Sequence, residues 1–481
     1  MPAIATDEST GLTERLRSLL GRDAVLANPS DLVVYECDAF TVEKKRPEVV
    51  VFPTSTEHVA AIVRLCKETE TPFLARGAGT SLAGGCLPVG GGVIISLSRM
   101  KKVHEINIRD RYAVVDPGVV NLQLTKLVQA QGYHFAPDPS SQSASTIGGN
   151  SSTNAGGPHT LKYGVTVNHV LGLEIVLPDG SVVRTDGPAG DPTGYDMTGV
   201  IVGAEGTFGV VTKIWVRLTP LPPAVRTLLG IFDSIDDATN TITEIIAAGI
   251  IPAALEMIDI VILEAVEAAF HFGFPLDAEA VLIMEVDGLD AGLDREAQRI
   301  TEFARKNNAR EVRKAATEAE RLLLWKCRKQ AFGALGRIAP SLCTQDGVVP
   351  RTKLPHMLRR AREIGAKYGL RIGNVFHAGD GNIHPLLLFD ERDPDQVKRV
   401  FAASNEILDE CIACGGSVTG EHGIGVEKLD FMPKLFAPVD LEQMLRLRRA
   451  FNPENLCSPH KMFPTAGACV ERARPARKAA I

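Results

Sequence analysis

No long hydrophobic run is present. The longest mainly apolar, charge-free stretch, 245–255, is broken by Gly249 and Pro252, far short of the roughly 20 residues a membrane-spanning helix needs. A basic excess is also missing: 52 Lys and Arg stand against 58 Asp and Glu, a net charge of −6, which argues against a nucleic-acid surface. The short basic run at 472–478 is terminal and reads as a frayed tail. The first residues carry Asp7, Glu8 and Glu14 with no apolar segment, so no secretory leader is expected. The 9 cysteines are odd in number and scattered, which reads as reduced thiols in the cytoplasm. Cys411 and Cys414 have CxxC spacing without a second pair and fit one packed helix. A cluster-type cysteine run is lacking, so the chain has no iron–sulfur relay of its own. Internal repeats and low-complexity segments are absent too.

What is there suits a large soluble core: 45% hydrophobic and 23% charged residues across 481 positions, a length for about two to four domains. The 44 glycines are unevenly spread, dense at 77–92, 148–157 and 199–209 and sparse from 227 to 335. Pro220, Pro222 and Pro223 mark the joint between the glycine-rich half and a more helical one, because consecutive prolines end strand pairing.

The first half alternates strands and helices. Strands are expected at 48–52, 73–75, 112–116, 171–177, 181–184 and 209–218. A helix starts at a Thr54/Glu57 capping box and turns Val59, Ile62, Val63 and Cys66 to one face. Another runs from Asn121 to Gly132. Beyond the joint, strands are expected at 227–233, 280–287 and within 374–388, with helices at 236–248, 259–270, 291–307, 316–337, 354–369, 393–414 and 439–450. The class is mixed α+β.

Two regions carry chemistry. Arg76-Gly77-Ala78-Gly79-Thr80-Ser81, with Gly84 and Gly85 behind it, is a loop whose backbone N–H groups can converge on a phosphate. Leu82 stands where a Rossmann fingerprint needs its third small residue, and no Gly-Lys-Ser/Thr of a Walker loop follows. A plain tight turn is the alternative. The stretch 139–161 has no Asp, Glu, Lys or Arg and is rich in Ser, Thr, Asn and Gly, a wall for a neutral ring system and a pyrophosphate. The second region is Phe376-His377-Ala378-Gly379-Asp380-Gly381-Asn382-Ile383-His384-Pro385 with Gly420-Glu421-His422-Gly423. A turn between strands can bring two imidazoles to one point, and two His with one Glu suit Zn²⁺, Mn²⁺ or Fe²⁺. His104, His134, His169, His271 and His356 read as ordinary packed or surface histidines.

The glycine series, with Thr146-Ile147-Gly148-Gly149, Asn154-Ala155-Gly156-Gly157 and Gly203-Ala204-Glu205-Gly206-Thr207, resembles the FAD-binding (PCMH-type) domain of the vanillyl-alcohol oxidase family. That resemblance implies FAD held by Arg76, Gly77, Ala78, Gly79, Thr80, Ser81, Gly85, Pro137, Asp138, Thr146, Gly148, Gly149, Asn154, Gly156, Gly157, Glu205 and Gly206. No His or Cys occurs within 76–85, where many relatives tether the flavin, so non-covalent FAD is expected. The His/Glu segments resemble flavin-dependent 2-hydroxyacid dehydrogenases with a FAD-linked oxidase C-terminal cap domain. This implies His377, His384 and Glu421 as metal ligands, His422 as base and Arg328, in Trp325-Lys326-Cys327-Arg328, as carboxylate clamp. An exposed helical arginine is the bland alternative. Gly336-Arg337-Ile338-Ala339-Pro340 and Asp346-Gly347-Val348-Val349-Pro350-Arg351 resemble the FAD-carrying subunits of bacterial glycolate oxidases. Ser458-Pro459-His460-Lys461 departs from their usual ending and puts His460 near the flavin edge.

The implied layout is a lead-in at 1–46, the FAD domain at 47–222, the cap domain at 223–465 and a flexible tail at 466–481. The implied reaction is oxidation of a small 2-hydroxyacid, glycolate to glyoxylate first and D-lactate to pyruvate second. A non-redox flavoenzyme and a non-catalytic flavin-binding subunit are the remaining alternatives. Implied partners are iron–sulfur and second flavin-type subunits or quinone, with a homodimer left open, in the cytoplasm or peripheral at the inner membrane through those partners.

Overall fold

A computed structural model describes residues 8–188 and 194–464; Asp7 and the whole expected tail at 466–481, with the basic run at 472–478, lie outside the described residues. Two main sheets and a short two-stranded ribbon form the first half. In one, Val49–Val51, Val93–Ser96 and Phe73–Arg76 run parallel, with Val25–Leu26 antiparallel at the edge. These strands are nearly unbroken runs of apolar residues, the composition of a sheet buried on both faces. The other is an antiparallel sheet of five strands in the order Val103–Asn107, Tyr112–Val115, Val210–Arg217, Val170–Val176 and Val182–Arg184.

The connecting helix Thr56–Glu68 buries Val59, Ile62, Val63 and Cys66 as expected, but its cap is Ser55, whose hydroxyl accepts from His58 N. The expected Thr54/Glu57 capping box therefore does not form: with Ser55 at the cap, the third helical position is His58 and Glu57 stands one residue too early. The prolines at 220–223 also do not stop pairing at once: Thr219–Pro220 still pairs with Tyr133–His134. Proline can hold such a place at the edge of a two-stranded ribbon, where its missing N–H breaks no ladder.

The second half is built on a nine-stranded sheet whose central order is Glu311–Lys314, Ala224–Phe232, Ala280–Gly288, Ala254–Asp259 and Arg371–His377. The Ala254–Asp259 strand was not foreseen, because an apolar run after a helix and a Gly-Ile-Ile-Pro turn carries no alternation to betray it. Side chains alternate across this sheet. Leu282, Met284 and Val286 enter a core with the helices Ile235–Ala247, Asp290–Lys306, Leu354–Tyr368 and Pro394–Ala413. Val281, Ile283, Ile258 and Val375 face the helices Ile260–Phe270 and Glu318–Leu335. Glu256 shares the face of Ile258, so its carboxylate points toward the Glu318–Leu335 helix. A buried acid on that face has to find its partners on the helix or on the neighbouring strand.

Candidate active site

A cavity of about 440 Å³ lies where the two halves meet. Gly77, Gly79, Thr80, Ser81 and Gly85 form one wall; Thr146, Gly148 and Gly149 form another. The backbone N–H groups of residues 77–82 have no hydrogen-bond partner among the described residues. A row of amide donors facing a cavity is a preformed anion site. Opposite, Thr146 caps the Ile147–Thr153 helix by accepting from Gly149 N at 3.2 Å. Gly77 is required by this approach, since a Cβ there would lie 2.5 Å from Thr146 Oγ1.

Six of the residues singled out for the cofactor are not among the lining residues. Arg76 donates to Cys37 O and lies over Tyr35. Pro137 accepts from Asn121 through its carbonyl, and Asn154 is a left-handed helix cap whose Oδ1 accepts from Val167 N. Asp138 pairs with His159 at 2.8 Å. Gly157 packs on Asp138, and a Cβ on Gly156 would lie 2.8 Å from Glu421 Oε2. These residues shape the wall from behind. Glu205 does line the cavity, yet its carboxylate is spent elsewhere: Oε1 accepts from Ile424 N and Oε2 from Gly425 N, each at 2.7 Å. It thereby ties the glycine-rich half to the loop that bears His422.

At the far end of the cavity stand His384, Glu421 and His422. His377 Nε2 and His384 Nε2 lie 3.3 and 3.2 Å from Glu421 Oε1. The other ring nitrogens are engaged: His377 Nδ1 is 2.7 Å from Glu256 Oε1 and His384 Nδ1 is 3.3 Å from Gln345 O. That is the arrangement that frees Nε2 for a metal and fixes the ring. A tetrahedral ion with bonds near 2.1 Å wants its ligand atoms roughly 3.4 Å apart, so the trio fits a divalent cation.

The electrostatics are governed by burial. Glu421 would be pushed up by desolvation, but the hydrogen bonds and charges of His377 and His384 hold it well below the carboxylate range. Burial pushes the His422 imidazole down to about 4, against the attraction of Asp346. It is therefore neutral at ordinary pH. Its ring stacks on His384 at 5.0 Å and 8°.

Arg328 is 1% exposed, so the exposed-arginine alternative is excluded. Its Nε donates to Glu256 Oε2 at 2.6 Å, while Nη1 and Nη2 are buried without a hydrogen-bond partner among the described residues. Two unpaired guanidinium donors are costly unless a carboxylate completes them. Arg328 itself is absent from the cavity lining, where its helix contributes Lys329 and Phe332. His460 is likewise not a lining residue.

Sequence reasoning missed Glu256, which holds both Arg328 and His377; an acidic residue inside an apolar run was its signal. It also missed the His159 cluster. There Glu285 accepts from Trp325, Thr227 and both nitrogens of an Arg321 fork, with His159 Nε2 at 3.4 Å. Asp346, quoted within a motif but given no role, was the third omission.

Comparison with known proteins agrees with this architecture. Residues 47–186 match a family model described as FAD binding domain, and residues 221–462 one described as FAD linked oxidases, C-terminal domain. Glycolate oxidase subunit GlcD of Escherichia coli (strain K12) is 41% identical over 469 residues, covering 98% of this chain and 94% of that protein. A probable mitochondrial D-lactate dehydrogenase of Danio rerio is 30% identical, covering 96% of this chain and 90% of that one. The structure of p-cresol methylhydroxylase with substrate bound superposes with a TM-score of 0.80 at 21% identity, covering 95% of this chain and 97% of that one, a likeness of fold.

Proposed function

The chain belongs to the FAD-linked oxidase family, and on that premise we propose that it oxidises a small 2-hydroxyacid, glycolate to glyoxylate in the first place. The observation that carries the reading is the meeting of an amide-lined cavity with His384, Glu421 and the neutral His422, behind which His377 completes the trio and the half-satisfied Arg328 fork is buried. The unpaired N–H groups of 77–82 would hold the pyrophosphate of FAD. FAD, when bound, would supply two-electron acceptor chemistry for the α-carbon of the substrate. The trio would hold a divalent cation, whose chemistry is Lewis-acid polarisation of the α-hydroxyl.

The chain's own residues do the rest. Arg328 offers Nη1 and Nη2 to the substrate carboxylate while Glu256 keeps the guanidinium in place. His422, neutral through burial, accepts the hydroxyl proton. Phe332 and Lys329 close the same cavity from the cap side. FAD is held without a covalent bond: Cys86 lines the cavity beside the glycine loop, but burial pushes its thiol up and leaves it a poor nucleophile.

Electrons leave to a partner subunit or to quinone, a reading supported by the subunit status in the name of the 41% identical relative. Among the described residues no helix is long and apolar enough to cross a membrane, so an inner-membrane location would come through those partners. The working division is an FAD domain at 47–222 and a cap domain at 223–465.

D-lactate oxidation is the second reading, favoured by the 30% identical relative. The two substrates differ by one methyl, worth only about 1–3 kcal/mol of discrimination. Anaerobic mixing with a panel of 2-hydroxyacids decides: glycolate should bleach the flavin absorbance fastest. Bleaching by D-lactate alone selects the second reading, and no bleaching by any 2-hydroxyacid ends both.

A further inference from the structure

Asp346 sits between the strands Ser341–Thr344 and Gly347–Val348, fully buried, one residue after the carbonyl that holds His384. Its Oδ2 accepts from four groups of one loop: Thr419 Oγ1 at 2.6 Å, Gly420 N at 2.9 Å, Glu421 N at 3.2 Å and His422 N at 2.9 Å. Lys428, also fully buried, stands 3.7 Å from the same oxygen and donates to the Asp346 carbonyl at 3.3 Å, so the carboxylate keeps its charge.

The other oxygen, Oδ1, makes no hydrogen bond among the described residues and stands 3.9 Å from His384 Nδ1. Asp346 Oδ1 and His422 Nδ1 are both buried, and neither has a hydrogen-bond partner among the described residues. A carboxylate oxygen of Asp346 and ring nitrogens of His384 and His422 lie within 4.8 Å of one another. His422 Nε2 points the other way: it stands 3.9 Å from Glu421 Oε1, toward the cluster that lines the cavity. A second cation among Asp346, His384 and His422 is disfavoured, because Gln345 O already takes His384 Nδ1 and four donors crowd Oδ2.

We propose that Asp346 is the positioning residue of the proton-accepting loop. One oxygen moulds the 419–422 backbone, and the other faces the His422 ring, directly or through one water, keeping the proton on Nδ1 and the lone pair on Nε2. Two buried polar atoms left without hydrogen bonds, Asp346 Oδ1 and His422 Nδ1, each carry a desolvation cost that a direct or water-mediated pairing removes. The tautomer of a histidine is set by the bond its other nitrogen makes. Asp346 thus fixes three things together: the direction of Glu421, the stacking of His422 on His384, and which nitrogen of His422 is open. The proposal rests on His422 being the base.

The test is anaerobic single-turnover flavin reduction by glycolate in the FAD-loaded protein, with Asp346→Asn, His422→Ala and the double variant. Asparagine keeps the shape and one accepting oxygen but cannot accept on both sides. Asp346→Asn should slow flavin reduction at least tenfold with the substrate concentration for half-maximal rate unchanged, and the double variant should be no slower than His422→Ala. Multiplying effects, or a loss of substrate affinity with the rate preserved, would overturn the assignment. A wild-type rate in His422→Ala removes the base reading itself, and this proposal with it. Should Asp346→Asn fail to retain FAD, the wild-type protein still answers. Histidine ¹⁵N correlation spectra of the Zn²⁺-loaded form, with His422 identified by its loss in His422→Ala, should report Nδ1 as protonated; an Nε2-protonated ring refutes the proposal.

Discussion

The glycine cradle and the histidine–glutamate cluster border one cavity but are built by opposite means. The cradle works with backbone: unpaired N–H groups at 77–82, small side chains, and the Thr146-capped helix end. The cluster works with side chains: Glu256, Arg328, His377, His384 and Glu421 form a chain of charge-assisted contacts, from 2.6 Å at Arg328–Glu256 to 3.3 Å at His377–Glu421. A backbone site tolerates substitution of side chains but not the addition of a Cβ at its tightest point. A buried charge cluster tolerates neither loss nor neutralisation, because each remaining charge is left without a partner.

That contrast predicts that the two sites separate under mutation. The largest effect should come from His384→Ala, which is expected to lose the bound metal, keep FAD, and slow flavin reduction on the order of 10³-fold. Elemental analysis together with the flavin spectrum checks it; full metal content in the variant would remove His384 from the site.

Glu256→Gln comes next. It touches neither cavity nor substrate, yet leaves the buried Arg328 without its counter-charge and His377 without its anchor. A cost of about 3–5 kcal/mol in stability is expected, with a fall of roughly 10–100-fold in metal affinity. Denaturant melts and a metal titration measure the two. A variant as stable as the parent would mean that the charge chain is not a unit.

Gly77→Ala is the reciprocal of the first experiment. Its Cβ would meet Thr146 Oγ1 at 2.5 Å, and relief of that overlap should cost about 1–3 kcal/mol, read as weaker FAD binding with the metal retained. Joint loss of metal would tell against separable sites.

The smallest effect sharpens the seam between the halves. Burial alone would lower the pKa of His159, but Asp138 and Glu285 push it up to about 10, above its ordinary 6.5. A folded-state value above the unfolded one stabilises the fold fully below pH 6.5 and ceases to do so as pH rises through about 10. Thermal melts should therefore decline across that window in the parent and decline less in His159→Gln. Parallel curves would take the imidazolium out of the seam.

Legibility in the sequence followed the range of the interactions. The Thr56–Glu68 helix was visible because its apolar spacing is local, whereas its cap at Ser55 was missed by one residue, since Thr54, Ser55 and Thr56 can all offer a hydroxyl. The glycine loop and the His377, His384 and Glu421 segments stood out by composition. Glu256 did not, because nothing within its own strand tells that Arg328 and His377 will arrive from 72 and 121 residues away.

By itself, the sequence determined the mixed α+β class, the order of most helices and strands, and which residue types were available for phosphate, metal and carboxylate. Periodicity, turn chemistry and composition are properties of neighbours along the chain, and they survive without a fold. Only the tertiary structure decided that Arg328 is buried rather than surface, that Glu205 spends its carboxylate on Ile424 and Gly425 N–H groups, and that Asp346 gathers the loop of His422. These are matters of which buried group finds which partner. Desolvation makes each such pairing compulsory, and only the packing of distant segments can say who the partner is.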